Sequence, residues 1–131
     1  MKKIFLLLSL LFVSLFGEYK NAYISQELLD SDLPIVDVRT VPEWKETGVL
    51  KGAIPIVFFS QQGQPLVESF LKDLNEKVDT TKPFAIICHT GSRTSVIAPW
   101  LAKEFNYSVI NITGGMKYAT KGLKLKTVPY K

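Results

Sequence analysis

Cys88 and His89 are the only cysteine and the only histidine in 131 residues, and they are neighbours. They open the run Cys88-His89-Thr90-Gly91-Ser92-Arg93-Thr94, which follows the apolar stretch Phe84-Ala85-Ile86-Ile87. This order predicts a buried strand ending at Cys88, a short loop, and a helix beginning near Ser92 or Arg93. In open α/β sheets, ligands bind at the carboxyl ends of the strands. A loop that curls from strand into helix turns successive backbone N–H groups inward, and together with the positive end of the helix it binds anions. The same field favours a thiolate over a thiol. Gly91 gives the backbone its tight curvature, and Arg93 offers a planar fork of donors to an oxyanion. The expectation is a nucleophilic thiolate facing an anion-binding cup. The competing reading is an inert cysteine closing an apolar strand, but such a residue has no need of the Gly, Ser, Arg and Thr that follow.

Other candidates read more plainly. Adjacent residues on a curling loop point apart, so His89 is expected to line the loop rather than to serve Cys88 as a base. Asp37, Arg39 and Glu43 are expected to form a structural ion pair fixing a strand-to-helix turn, not an acid–base set. Trp44 and Trp100 suit core packing. One Cys and one His cannot make a structural zinc site or an internal disulfide.

Strands and helices must hold this loop. Ile35-Val36-Asp37-Val38, Phe84 to Cys88 and Val109-Ile110-Asn111-Ile112 are β-branched and hardly alternate, as in parallel strands covered on both faces. Ala53-Ile54-Pro55-Ile56 is a weaker strand because Pro55 lacks a ladder donor, and Tyr23-Ile24 suggests a short edge strand. Ser25 caps a short helix over Gln26-Glu27-Leu28-Leu29. Thr40 caps another, with Pro42 in its first turn and Glu43 placed for a capping box. Leu66, Val67, Phe70, Leu71, Leu74 and Val78 define one helical face. Val96, Ile97, Trp100, Leu101 and Phe105 define a second, interrupted by Pro99. Strand–helix alternation with short connections implies an open α/β fold.

The composition, 47% hydrophobic and 21% charged, is that of one globular domain. Sixteen basic against twelve acidic residues give +4, too mild an excess to suggest nucleic acid as a partner. Met1-Lys2-Lys3 followed by apolar Ile4 to Phe16 has the form of a secretory signal, and its 13 apolar-region residues fall short of a spanning helix. The expected division is a signal at 1–17 and a domain at 18–131. An uncleaved anchor is the alternative, since Leu15 is large for its place before Gly17. Export would put the protein in the periplasm or outside the cell, with no stable membrane association once the signal is cut, and its lone thiol in an oxidising compartment. Lys117, Lys121, Lys124, Lys126 and Lys131, with no acid among them, are expected to be a solvated surface.

With these residues in view, the sequence resembles the rhodanese (sulfurtransferase) family. Cys88 to Thr94 is similar to its active-site loop, and Ile35 to Arg39 with Glu43-Trp44 is similar to its first signature. Gly48 to Ile56 is similar to the next block, and Val109 to Met116 to the last strand and double-glycine turn. The resemblance implies an α/β rhodanese-like fold, an open, mostly parallel five-stranded sheet with helices on both faces. It implies Cys88 as the catalytic residue and His89, Thr90, Gly91, Ser92 and Arg93 as substrate-binding residues. A sulfane sulfur would pass from thiosulfate or a similar small anion to a thiol or cyanide through a Cys88 persulfide, with no metal or organic cofactor. Arg93 would orient the donor's sulfonate. The alternatives are a non-catalytic sulfur-carrier or binding module and, less favoured, a cysteine-dependent phosphatase or arsenate reductase. Phosphatases of the related type place five residues between Cys and Arg, whereas four separate Cys88 from Arg93. The chain departs from the family at Val49, where a His is usual, and at Pro99.

Overall fold

The computed structural model describes residues 17–131. The expected signal segment therefore lies outside the described residues, save for Gly17. Strands β1 (Tyr19–Tyr23), β2 (Ile35–Asp37), β4 (Ile54–Pro55), β5 (Phe84–Ile87) and β6 (Val109–Thr113) form one five-stranded sheet. Its order is β1-β6-β5-β2-β4, and every neighbouring pair is parallel. The sheet has helices on both faces, so its central strands meet water on neither, which is why they are apolar without alternation.

The side chains of β5 separate by the two-residue period of a strand. Phe84 and Ile86 join Val36, Val38, Phe70, Leu74, Ile97 and Leu101 in one core layer. Ala85 and Ile87 join Ile24, Ile35, Leu50, Ile112 and Met116 in the other. The first layer lies under α3 (Val67–Lys77) and α4 (Thr94–Phe105). The second lies against α1 (Gln26–Asp30) and the short α5 (Gly115–Lys117). Phe84, Ile86 and Ile87 are fully buried, each a contribution on the order of 1.5–3 kcal/mol.

Helix starts follow the sequence closely. The Ser25 hydroxyl accepts from Leu28 N at 3.0 Å and caps α1. At α2 (Val41–Thr47), Glu43 Oε1 accepts from Thr40 N at 3.1 Å and from its hydroxyl at 2.9 Å. Pro55 is accommodated because β4 is an edge strand. Ile56 N donates to Asp37 O at 2.9 Å, and alternation turns the Pro55 nitrogen toward the open side.

Two expectations need correction, and one pairing is an addition to them. The edge strand expected at Tyr23-Ile24 is β1, which runs from Tyr19 to Tyr23 and pairs along its whole length with β6. Four of its five residues are exposed and Ala22 is half-buried, so no buried apolar run marks it. The buried stripe of α4 is Thr94, Ile97, Ala98, Leu101 and Ala102, and Val96 is 66% exposed. Small alanines and a threonine complete an i, i+3, i+4, i+7, i+8 face, and Val96 falls outside it. Finally, β3 (Val49–Leu50) pairs antiparallel with β7 (Thr127–Val128) and ties the tail to the domain. Strands of two residues carry no period to read. The five tail lysines are all exposed, as expected of a solvated surface.

Candidate functional site

Cys88 lies one residue beyond β5 and, by alternation, points to the same side as Phe84 and Ile86. It has no exposed surface. Two polar groups nevertheless meet its sulfur. Gly91 N donates to Sγ at 3.2 Å, and the Thr94 hydroxyl lies 3.6 Å from it. Thr94 stands in the first turn of α4 and is itself fully buried, with its hydroxyl also 3.4 Å from Gly91 O. A sulfur packed merely as a small hydrophobe would not be given a backbone donor and a buried hydroxyl.

The loop depends on glycine at two levels. Gly91 has φ +99°, and a Cβ there would come within 3.2 Å of Gly114 N. Beneath it, Met116 N donates to Cys88 O at 2.8 Å and Lys117 N to His89 O at 2.9 Å. A Cβ on Gly115 would stand 2.5 Å from both of these carbonyls. The Gly114-Gly115 turn thus lets the start of α5 clamp the cysteine loop from below. This support, and the contact of Thr94 with the sulfur, are additions to the expected site. Their signals were the second glycine of the pair and the Thr following Arg93.

The other loop residues divide. His89, Thr90 and Ser92 are exposed, so His89 lines the loop as expected and what these residues can offer the sulfur is backbone. Arg93 differs from expectation. Its Nη1 donates to Glu43 Oε1 and its Nη2 to Glu43 Oε2, both at 2.8 Å. Two of the five N–H donors of the fork expected to meet a donor's oxyanion are thus taken by a carboxylate. Glu43 is accordingly not a member of the local Asp37–Arg39 set. That pair is complete without it: Arg39 reaches Asp37 through Nε at 2.9 Å and Nη2 at 2.7 Å, and its remaining donors meet the Thr47 hydroxyl and Gly48 O, both at 2.8 Å. Both side chains are sealed from solvent. Removing either partner alone would strand a buried charge.

Partial burial pushes the Glu43 carboxyl up, but hydrogen bonds from Arg93 and from Thr40 outweigh it and hold the group at about 2. Arg93 is held more firmly protonated by the same hydrogen bonds, against partial desolvation, with smaller contributions from the charges of Cys88 and Asp37. Beside the pair lies a cleft of about 610 Å³, walled by Pro42 and Phe59 and rimmed by Ser60 and Gln61.

An all-parallel sheet with a cysteine loop at the carboxyl end of its central strand matches known proteins. The rhodanese-like domain family matches residues 20–121, and the chain belongs to that family. A Rickettsia prowazekii protein, "Uncharacterized protein RP600", is 32% identical over 79% of this chain and 86% of its own length. The "Putative sulfur carrier protein YrkF" of Bacillus subtilis is 34% identical over 67% of this chain, which spans only 42% of that protein. Among solved structures, Rv0390 from M. tuberculosis superposes with a TM-score of 0.61 at 20% identity, over 75% of this chain and 80% of that one, which speaks for the fold. The domain is thus consistent with sulfur transfer or sulfur carriage in general. No helix among the described residues is long and apolar enough to cross a membrane.

Proposed function

We propose that the protein transfers sulfane sulfur through a persulfide on Cys88. The thiolate attacks the outer sulfur of a donor such as thiosulfate, the new Sγ–S bond forms, and the S–S bond to the sulfonate breaks with departure of sulfite. A thiol or cyanide then takes the outer sulfur and returns the thiolate. The two half-reactions give ping-pong kinetics. Gly91 N–H and the Thr94 hydroxyl stabilise the charge on sulfur, with further loop N–H groups from His89 to Arg93 facing the added atom. No metal or organic cofactor is required by this chemistry.

The observation that carries the reading is the placement of Sγ between Gly91 N at 3.2 Å and Thr94 Oγ1 at 3.6 Å, at the start of a twelve-residue helix. Membership of the rhodanese-like family supports it. The test is the intact mass of the protein after thiosulfate. A gain of one sulfur atom, removed by cyanide and absent in Cys88→Ser, is expected; an unchanged mass with every sulfur donor overturns the reading. A second reading, a carrier that holds the sulfur without rapid turnover, is favoured by the full burial of Cys88 and agrees with the name of the Bacillus relative. Steady thiocyanate production separates the two. Phosphatase chemistry would require hydrolysis of para-nitrophenyl phosphate, which the four-residue spacing to Arg93 disfavours. We further propose that residues 1–17 act as an export signal and that the domain works in the envelope or outside the cell. The mass and fraction of the protein recovered from its native cell test this.

A further inference from the structure

We propose that the chain has a second binding site, beside the cysteine loop, which takes a small neutral ligand bearing a carboxamide and holds it through Asn111. Binding there is independent of the chemistry at Cys88.

Asn111 is out of place in β6. Val109, Ile110 and Ile112 around it are apolar, and its register partner on the central strand β5 is Ile86. The residue is 5% exposed. Its Nδ2 donates at 2.9 Å to Oδ1 of Asn21, its register partner on β1. Its own Oδ1 is buried and has no hydrogen-bond partner among the described residues. Buried polar groups in folded proteins are nearly always paired, and a carbonyl oxygen left bare has given up its water for nothing. A β-branched apolar side chain would suit the strand better. An amide kept there at that cost marks a position that receives a donor from outside the chain.

By alternation Asn111 and Thr113 share one side of the sheet with Val109, which packs in the core layer under α4. On that side a cleft of about 490 Å³ opens between the carboxyl ends of β1 and β6 and the start of α4. Asn21, Tyr23, Thr90, Ser95, Asn111 and Thr113 line it together with two glycines. All six of these side chains are polar and none is charged. An anion finds no cation there, and a metal ion no carboxylate, so the cleft selects a neutral ligand through hydrogen bonds. A carboxamide meets both demands. Its N–H supplies the donor that Asn111 Oδ1 lacks, and its carbonyl accepts from a hydroxyl such as that of Thr113. The volume is that of a small-molecule site. The cleft shares no lining residue with the one beside Arg93, and Cys88 is not among its lining residues. It meets the cysteine loop at Thr90 and at Gly91, whose N–H donates to Sγ.

The test is titration of the isotope-labelled full chain with benzamide, followed by NMR. Saturable shifts are expected at the side-chain amides of Asn111 and Asn21 and at the Gly91 N–H, with a Kd in the millimolar range usual for so small a ligand. N,N-dimethylbenzamide keeps the carbonyl but has no N–H to give, and benzoate brings a charge. Each should bind about tenfold more weakly, the worth of one hydrogen bond to a buried acceptor. Asn111→Val should weaken benzamide to the same extent. A blocked Ala-Ala-Gln-Ala-Ala peptide, which presents the same group on a chain, should bind no more tightly than benzamide. Absence of saturable shifts with benzamide, which would leave the cleft to water alone, overturns the proposal. So does equal binding of the three benzoyl probes, undiminished binding by folded Asn111→Val, or tighter binding of the peptide. The probe comparison needs no variant.

Discussion

Thr94 carries the sharpest consequence for a single residue. Its hydroxyl is buried beside the only thiol, and a valine would fill the same space without a polar atom. Thr94→Val should slow sulfur loading of Cys88 about tenfold, since one hydrogen bond to a charged group is worth about 1.5 kcal/mol. Stopped-time mass spectra of the two proteins check this, with thermal unfolding to show that the fold is kept. Cys88 itself was legible in the sequence, because a lone cysteine between an apolar strand and a Gly-Ser-Arg-Thr run has few structural excuses. The Arg93–Glu43 pair was not. Fifty residues separate its members, and local charge spacing assigned Glu43 to Arg39 instead. Only the folded sheet, which brings the start of α2 to the start of α4, reveals the true partner.

At the scale of elements, the same pair links two helix starts and should make stability depend on acid. The Glu43 carboxyl has a folded value of about 2, below its ordinary value of 4.5. A depressed carboxylate stabilises the fold above its unfolded pKa, and that share is lost as pH falls from about 5 toward 2. Both side chains are partly exposed, so screening reduces the share to about 1 kcal/mol. Urea midpoints at neutral pH and near pH 3 should therefore converge between wild type and Glu43→Gln. A second expectation concerns α4. Pro99 cannot donate to Ser95 O, so Pro99→Ala should restore a turn bond and stabilise the domain by about 1 kcal/mol, read as a higher urea midpoint. A third concerns α5. The Cβ of Gly115→Ala would push on the carbonyls of Cys88 and His89. This should cost about 2 kcal/mol, within the range for overpacking, and displace the loop, so sulfur loading falls together with the unfolding midpoint. Helix caps and central strands were readable because their signals are local: Ser25 and Thr40 sit where capping demands, and β2 and β5 are apolar on both faces. The clamp by α5 was not, for it depends on two chain segments meeting in space.

For the whole molecule, the tail is the informative part. β7 pairs with β3, and Tyr130 packs on Trp44 with ring centroids 5.1 Å apart. A chain ending at Lys126 loses both contacts and uncovers Trp44, which is otherwise 3% exposed. Its tryptophan emission should shift to the red and its stability fall by about 2 kcal/mol, the order of a large side chain returned to water. The all-parallel sheet was foreseeable from strand–helix alternation, whereas this closing strap, built from two-residue strands, was not.

The depth of Cys88 has one more consequence. Two copies of the chain have a single thiol each, and neither thiol reaches the molecular surface. A bond between them would require two sunken atoms to meet across two protein exteriors. In air, then, the folded protein should run as one chain on a non-reducing gel, and covalent pairs should accumulate only once it has been unfolded.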